Sequence, residues 1–355
     1  MREGLARFLE NHSVSVSAPC RIDMGGTLDI STFYLPLREF SPCTFNIAVD
    51  LRTVVRLYPY EDGVIKVSSR GFQTAEFPLH TAPFRHPVGL MFAVASYFNA
   101  HGVHVHIESA SPPKGALGGS SAAAVALVAA FSRVLTLKEN LRPLTRAQVA
   151  LLAHAIEAGV AGVPCGLQDQ LAAAYGGIHA WHWPADIRGT PFRKKSLLPA
   201  KKFKKIEDCL LLAYCGVPHE SKDINGRWVE QFLSGKFRDI WVRIIACTQA
   251  FIEAVGSMNV REAVRALNTE LALRRKMTAD VLDPMGVALV DLALENNCGS
   301  RFAGAGGGGC IWALGEKEDI QRLRPGWEKA LLKRKAAGLL ELKVARQGVL
   351  LMREI

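Results

Sequence analysis

Three short stretches of this chain place chemistry-bearing residues beside glycine-rich turns. The first is Pro112 to Val128, PPKGALGGSSAAAVALV. Its proline pair ends the preceding strand, because proline cannot donate to a sheet ladder. A small-residue turn follows, and from Ala122 the sequence is strongly helix-forming. Unpaired N–H groups at the positive end of a helix dipole make an anion site. Ser120 and Ser121 fall at the expected N-cap, where a hydroxyl caps the helix or reaches a phosphate or a metal ion. No Lys follows the glycines, which excludes the GxxxxGK[ST] loop. On its own the stretch reads equally well as a capped, buried helix after a flexible turn.

The second stretch, Cys20 to Ser31 (CRIDMGGTLDIS), gathers Arg21, Asp23 and Asp29 around Gly25-Gly26. A loop so made turns sharply and aims a cation and two carboxylates at one small polar ligand. A surface turn with a local Arg–Asp pair is the competing reading. In the third, Leu167 to Gly177 (LQDQLAAAYGG), Asp169 stands between Gln168 and Gln170 at the lip of the Gly159–Gly166 loop. A carboxylate there serves as a base or as an ordinary helix N-cap. Glu157 lies twelve residues earlier, near the end of a helix expected over 146–158. A further run, Arg301 to Cys310 (RFAGAGGGGC), satisfies GxGxxG formally. Strand-like CIWAL follows it instead of a helix, so it is no dinucleotide fingerprint. Four consecutive glycines are hard to explain by packing alone, because each loses much backbone entropy on folding.

The elements that must position these residues follow from periodicity. Ser13–Ala18 alternates as a strand, with Pro19 expected to end it. Residues 45–58 read as one long strand or a pair, and 64–68 as another. Residues 86–100 have helical spacing. Residues 103–108 form a strand with His104, His106 and Glu108 on one face; a solvent-facing side is the better reading than a metal cluster with His101. A helix runs from the first stretch to about Leu135, and another over 146–158 opens with a Thr145/Gln148 capping box. The basic stretch 186–205 reads as a linker. Strand 210–215, about three helical segments over 226–295 broken at Gly235, Gly256 and Pro284, a last helix and a closing strand pair (LLELKVAR, QGVLLMRE) complete the chain.

With 355 residues, 49% of them hydrophobic and 21% charged, there is material for two packed cores. No uninterrupted apolar run approaches the ~20 residues of a membrane span, and the charged N-terminus lacks a secretory h-region. Eight Cys without a CxxC pair read as reduced thiols in a cytoplasmic protein. The net charge of +10 raises the question of nucleic acid, but the densest basic run, Arg193 to Lys205, carries one aromatic and no recognition motif. It reads as a solvated face. The expected partners are therefore neither nucleic acid nor membrane.

These motifs carry a family resemblance. PPKGALGGSSAA resembles the phosphate-binding motif of the GHMP small-molecule kinases. SAPCRIDMGGTLDIS is similar to their first motif, GLQDQLAAAYGG to the acidic segment of the sugar-kinase type, and RFAGAGGGGC to their third motif. The resemblance implies a two-domain α+β fold. Residues 1–190 would form an N-terminal domain like ribosomal protein S5 domain 2, and residues 191–355 a ferredoxin-like C-terminal domain. It implies ATP on Pro113, Lys114, Gly115, Ala116, Leu117, Gly118, Gly119, Ser120, Ser121 and Ala122, and Mg2+ on Ser121 and Glu157. Asp169 falls on the catalytic aspartate and Arg21 lies near the transferred phosphate. The acceptor would meet Asp23, Gly26, Thr27, Asp29, Gln168, Gly306 and Gly307. The third glycine run would back onto the phosphate loop. Ser221 and Lys222, in GVPHESKDIN, loosely match a substrate stretch of sugar-phosphate kinases. The implied activity is ATP-dependent phosphorylation of a sugar or sugar-phosphate hydroxyl by a monomer or homodimer. The Gly-Gly-Thr turn is closest to bacterial heptose-phosphate kinases, which phosphorylate an anomeric hydroxyl. The alternatives are a non-sugar relative of the mevalonate-pathway or homoserine type, and a catalytically silent ligand-binding homologue.

Overall fold

In the computed structural model, residues 4–162, 164–186, 189–218 and 221–352 are described, without the side chains of 221–223. The substrate expectation for Ser221 and Lys222 lies outside the described side chains.

The chain begins with α1 (Leu5–Asn11), then lays down β1 (Val14–Met24), the single turn α2 (Ser31–Tyr34) and the long β2 (Cys43–Pro59). β1 and β2 pair antiparallel from Val14↔Leu57 to Met24↔Phe45. Pro19 does not end β1, against expectation. The register shifts between Pro19 and Cys20, and such an irregularity is where a strand tolerates a residue without an N–H. Arg21 and Asp23 therefore ride on a strand, two residues apart and on one face. β3 (Val64–Ser69), β4 (Ala75–Pro78), α3 (Gly89–Tyr97) and β5 (Val103–Ser109) follow.

Next come α4 (Gly119–Glu139), α5 (Arg146–Val160), α6 (Gln168–Tyr175), β6 (Ile178–His182) and β7 (Arg193–Ser196). α4 and α6 pack on β1 and β2, and α5 packs on both helices. The small side chains Ala122, Ala124 and Ala126 are fully buried, which lets α4 approach the sheet closely. The basic stretch expected as a linker supplies β7, antiparallel to β6, with Lys194 over the Tyr175 ring. All four β7 residues are exposed, and a charged edge resists further strand pairing.

The second half runs α7 (Phe203–Glu207), β8 (Leu210–Tyr214), α8 (Ser221–Leu233), α9 (Arg238–Ser257), α10 (Val260–Met277) and α11 (Pro284–Glu295). It ends with β9 (Gly299–Phe302), β10 (Cys310–Leu314), α12 (Lys317–Leu331), β11 (Gly338–Leu340) and β12 (Leu350–Leu351). Two sheets result. An eight-stranded one has the path β12-β1-β2-β5-β3-β4 with β6 and β7 branching from β2; a four-stranded antiparallel one has the order β11-β8-β10-β9. The expected closing pair separates. β11 joins β8 and β12 joins β1, because the strip between them bridges Val344 to Val49 and crosses from one sheet to the other.

Two apolar cores form. Leu28, Ile30 and Phe33, just past the Gly25-Gly26 turn, sit in the second core with Phe232 and Trp241. That turn is thus anchored by β1 on one side and by the C-terminal helices on the other. By length and composition α4 and α9 are large and apolar enough to cross a membrane, a property missed by looking for uninterrupted runs. In α4, 67% of the apolar window is buried within the fold.

Candidate active site

Arg21 is the centre of the arrangement. Its Nε donates to Asp169 Oδ1 at 2.7 Å and its Nη2 to Asp169 Oδ2 at 2.8 Å. Its Nη1 donates to the carbonyl of Ala116 at 2.5 Å and lies 3.7 Å from Asp23 Oδ1. Burial pulls the guanidinium down, but the charges of Asp169 and Asp23 more than offset this and hold it above its ordinary value. The Arg21 amide also donates to the Leu117 carbonyl at 2.9 Å. One residue of β1 thereby ties the 112–128 turn to the start of α6.

The turn itself differs from expectation at the helix start. The N-cap of α4 is Gly118, in the left-handed region at φ 73°, and Ser120 and Ser121 lie inside the first turn. A Cβ at Gly118 would stand 3.2 Å from Asp169 Oδ2, so the carboxylate faces the helix N-terminus directly. Lys114 and Ala116 also take positive φ (53° and 62°), an unusual conformation for side-chain-bearing residues and common at ligand-binding turns. Pro113 lies over Gly71, Gly115 donates its N–H back to Pro112, and Gly119 opens α4. Ser120 is exposed, while Leu117 and Ala122 are buried.

Ser121 turns the other way, its Oγ donating to Glu157 Oε2 at 2.9 Å. Gln170 Nε2 donates to the same oxygen at 2.7 Å. Burial pushes the Glu157 carboxyl up to about 7, against the lowering effect of these two donors. Hydroxyl and carboxylate oxygens in contact are hard donors of the kind Mg2+ takes beside phosphate oxygens. The buried Gln170 Oε1 has no partner among the described atoms, a further oxygen at this place. The residues present fit the ion. No group of three or more His, Cys, Asp or Glu placed to hold a metal occurs among the described residues. His104 and His106 instead share the Ser68 hydroxyl, at 2.7 and 2.9 Å.

The third contributor is the turn after β1. Thr27 sits at φ 81°, a strained place for a β-branched residue. Asp29 is buried, accepts the Gln168 N–H at 2.9 Å, and is pushed up to about 7 by burial, with Asp169 adding to the rise. The Gln168 side chain lies over Gly26, and its buried Oε1 has no partner among the described atoms. The third glycine run does back onto the phosphate-type turn. A Cβ at Gly309 would meet the Gly115 carbonyl at 2.8 Å. Gly304, not singled out by sequence, donates its N–H to Asp23 Oδ1 at 2.7 Å. Gly306 and Gly307 face Val281 instead, Gly307 donating to its carbonyl at 2.8 Å. A hollow of about 730 Å³ between β11 and α12 is lined by other residues, and its Lys204 and Lys317 are paired with Asp208.

Residues 86–177, which hold the 112–128 turn, Glu157 and Asp169, match the family model described as GHMP kinases N terminal domain. Over those residues the chain is similar to the GHMP kinase family. Over 339 residues it is 25% identical to the mevalonate kinase of Thermococcus sibiricus, covering 87% of this chain and 91% of that one. It is 31% identical over 137 residues to the D-glycero-alpha-D-manno-heptose 7-phosphate kinase of Campylobacter jejuni, 38% of this chain and 36% of that one. The crystal structure of a D-glycero-D-manno-heptose 1-phosphate kinase from Bacteroides thetaiotaomicron shares the fold, with a TM-score of 0.70 at 17% identity over 96% of this chain and 99% of that one.

Around this site, sequence reasoning passed over several residues. Asn46 of β2 donates to the Gln168 carbonyl at 3.3 Å and accepts the Trp181 indole N–H at 2.8 Å, steadying the start of α6. Gln170 was visible only as an amide next to Asp169. Glu270 and Arg274, spaced i, i+4, have the pattern of a surface helix pair, yet both are buried. Arg301 was noted only as the first residue of its glycine run.

Proposed function

We propose that this protein transfers the γ-phosphoryl group of ATP to a hydroxyl of a sugar or sugar phosphate, the anomeric hydroxyl being one candidate. The observation that carries the reading is the bidentate Arg21–Asp169 pair, set against the N-terminus of α4 and next to the Ser121–Glu157 contact. Residues from β1, α4, α5 and α6, up to 148 positions apart, meet there.

The triphosphate lies along residues 113–122, where the unpaired N–H groups of the α4 N-terminus hold its charge. Ser121 and Glu157 would hold Mg2+, which would supply positive charge to offset that developing on the phosphoryl oxygens. Asp169 keeps a free lone pair on each oxygen after accepting from Arg21, so it can orient the acceptor hydroxyl and take its proton. Arg21 stabilises the transferring group and fixes the rotamer of Asp169. Gly26, Thr27, Asp29 and Gln168 form the acceptor side, while Asp23, fully enclosed between Arg301, the Gly304 N–H and Arg21, backs the Arg21–Asp169 pair. The nucleotide sits between an S5-like domain over 1–190 and a ferredoxin-like domain over 191–355, with β7 and β12 crossing back to the first. The reaction belongs in the cytoplasm.

The number of acceptor oxygens favours a polyhydroxyl substrate. Asp23, Asp29 and Asp169 lie close enough for Asp29 to feel both of the others. Carboxyl oxygens accept the several hydroxyl donors of a sugar well. A second reading, a mevalonate-type kinase, is favoured by the match to a mevalonate kinase over 87% of the chain. A coupled assay of ADP formation across galactose, mannose, heptose 1- and 7-phosphates, homoserine and mevalonate separates them. Turnover on a sugar or sugar phosphate is expected; turnover on mevalonate alone overturns the sugar reading, and turnover on none overturns both.

A further inference from the structure

The most deeply buried charges of this protein stand directly behind the residues above. Glu270 and Arg274 on α10 and Arg301 on β9 have 0% side-chain exposure. Glu270 accepts from both arginines, Oε1 from Arg274 Nε at 2.8 Å and Oε2 from Arg301 Nε at 2.9 Å. Two arms leave this carboxylate. Along one, Arg301 Nη1 donates to both Asp23 Oδ2 and the Asp23 carbonyl at 3.2 Å, and Asp23 in turn stands beside Arg21. Along the other, Arg274 Nη2 donates to the Gly26 carbonyl at 2.7 Å. The Arg274 guanidinium lies in the corner made by the nearly perpendicular rings of Trp228 and Trp241, 4.6 and 4.7 Å from their centroids, which limits its movement.

Stability alone is a poor account of this cluster. A buried ion pair is often no better for stability than apolar side chains of the same volume, because desolvation offsets the attraction. Arg274 Nη1 is moreover buried with no partner among the described atoms, which is unfavourable. What the cluster does supply is geometry, since one carboxylate sets two guanidinium planes that end on two different parts of the site.

We propose that Glu270 is a positioning residue with two separable outputs. Through Arg301 it fixes Asp23 and so the Arg21–Asp169 pair; through Arg274 it fixes the Gly25–Asp29 turn that receives the acceptor. The inference rests on the proposed function for its assignment of these two ends to phosphoryl transfer and to acceptor binding.

The test uses Arg301→Lys and Arg274→Lys. Each keeps a positive charge beside Glu270, but one ammonium cannot span both partners as a guanidinium fork does. Wild-type turnover is measured first across the acceptor panel, so that absence of any kinase activity is recognised as failure of the functional reading. On whichever acceptor is turned over, Arg301→Lys is expected to lower kcat by ~10–100-fold and leave the acceptor KM within about threefold. Arg274→Lys is expected to raise the acceptor KM by about tenfold and leave kcat within about threefold. Both should keep the wild-type KM for ATP. Loss of kcat and acceptor affinity together in both variants, in step with lowered melting temperatures, overturns the proposal. If either lysine variant fails to fold, Glu270→Gln is read instead. It must show both changes at once, and wild-type kcat and KM in that variant also overturn the proposal.

Discussion

Glu157 shows how much one side chain's setting decides. It is half-buried, its Oε2 accepts from Ser121 and Gln170, and in the proposed site its other oxygen would face Mg2+. Glu157→Gln keeps the shape and removes the charge. The Mg2+ concentration for half-maximal activity should rise ~10-fold or more, checked by metal titration at saturating ATP. Asp29 gives a prediction about pH. Its folded value of about 7 lies above the ordinary ~3.9 of an unfolded chain. Between those values the folded state binds more protons, so Asp29 makes stability fall as pH rises from about 4 to 7. Three pH units of such a shift correspond to roughly 4 kcal/mol. Glu157 acts with the same sign. Denaturant unfolding at pH 5 and pH 8 should therefore show a smaller loss in Asp29→Asn than in wild type; parallel losses in the two proteins would remove Asp29 from the explanation.

Among the elements, the glycine-rich turns carry their geometry in the backbone. At Gly309, φ is 80° and an added Cβ would stand 2.8 Å from both the Gly115 carbonyl and the Ala116 Cβ. Gly309→Ala is expected to lower stability by ~1–3 kcal/mol and to weaken nucleotide binding as the two turns are forced apart. Gly256→Ala is the contrast, since a Cβ there meets nothing within 4 Å; it should be neutral or stabilising by up to ~1 kcal/mol. Thermal melts of the two variants with and without an ATP analogue compare them directly. Legibility at this scale followed locality. The Thr145/Gln148 capping box was readable and forms as read, because both partners lie within one turn. α9 runs through Gly256 to Ser257, because packing of Phe251, Ile252, Ala254 and Val255 outweighs the weak helix preference of one glycine. The α4 cap falls on Gly118 rather than the serines because Arg21 and Asp169, distant in sequence, hold that turn.

For the whole molecule, what sequence could show was which turns carry chemistry; what it could not show was how they are held together. Arg21, Ser121, Glu157 and Asp169 were singled out through the family resemblance and do converge. Glu270, Arg274 and Arg301 were missed, because a buried salt bridge and a solvated one have the same letters. The fate of the C-terminal strands was equally hidden, since each fills the edge of a sheet laid down far earlier. Phe33 marks the join between the halves, its ring 4.4 Å from Trp241 and 4.8 Å from Phe232. Phe33→Ala should cost about 3–5 kcal/mol and also raise the acceptor KM by loosening the turn it anchors. Chemical denaturation and steady-state kinetics measure the two effects separately, and a stability loss with an unchanged KM would detach the turn from the second core.

The account's central claim is that four residues from four elements form one phosphoryl-transfer site. A single-turnover experiment with γ-labelled ATP, Mg2+ and an acceptor that the wild-type enzyme uses tests it most directly. Asp169→Asn should bind nucleotide as wild type does and transfer label ~10²–10⁴-fold more slowly. Transfer at the wild-type rate in that variant would contradict it.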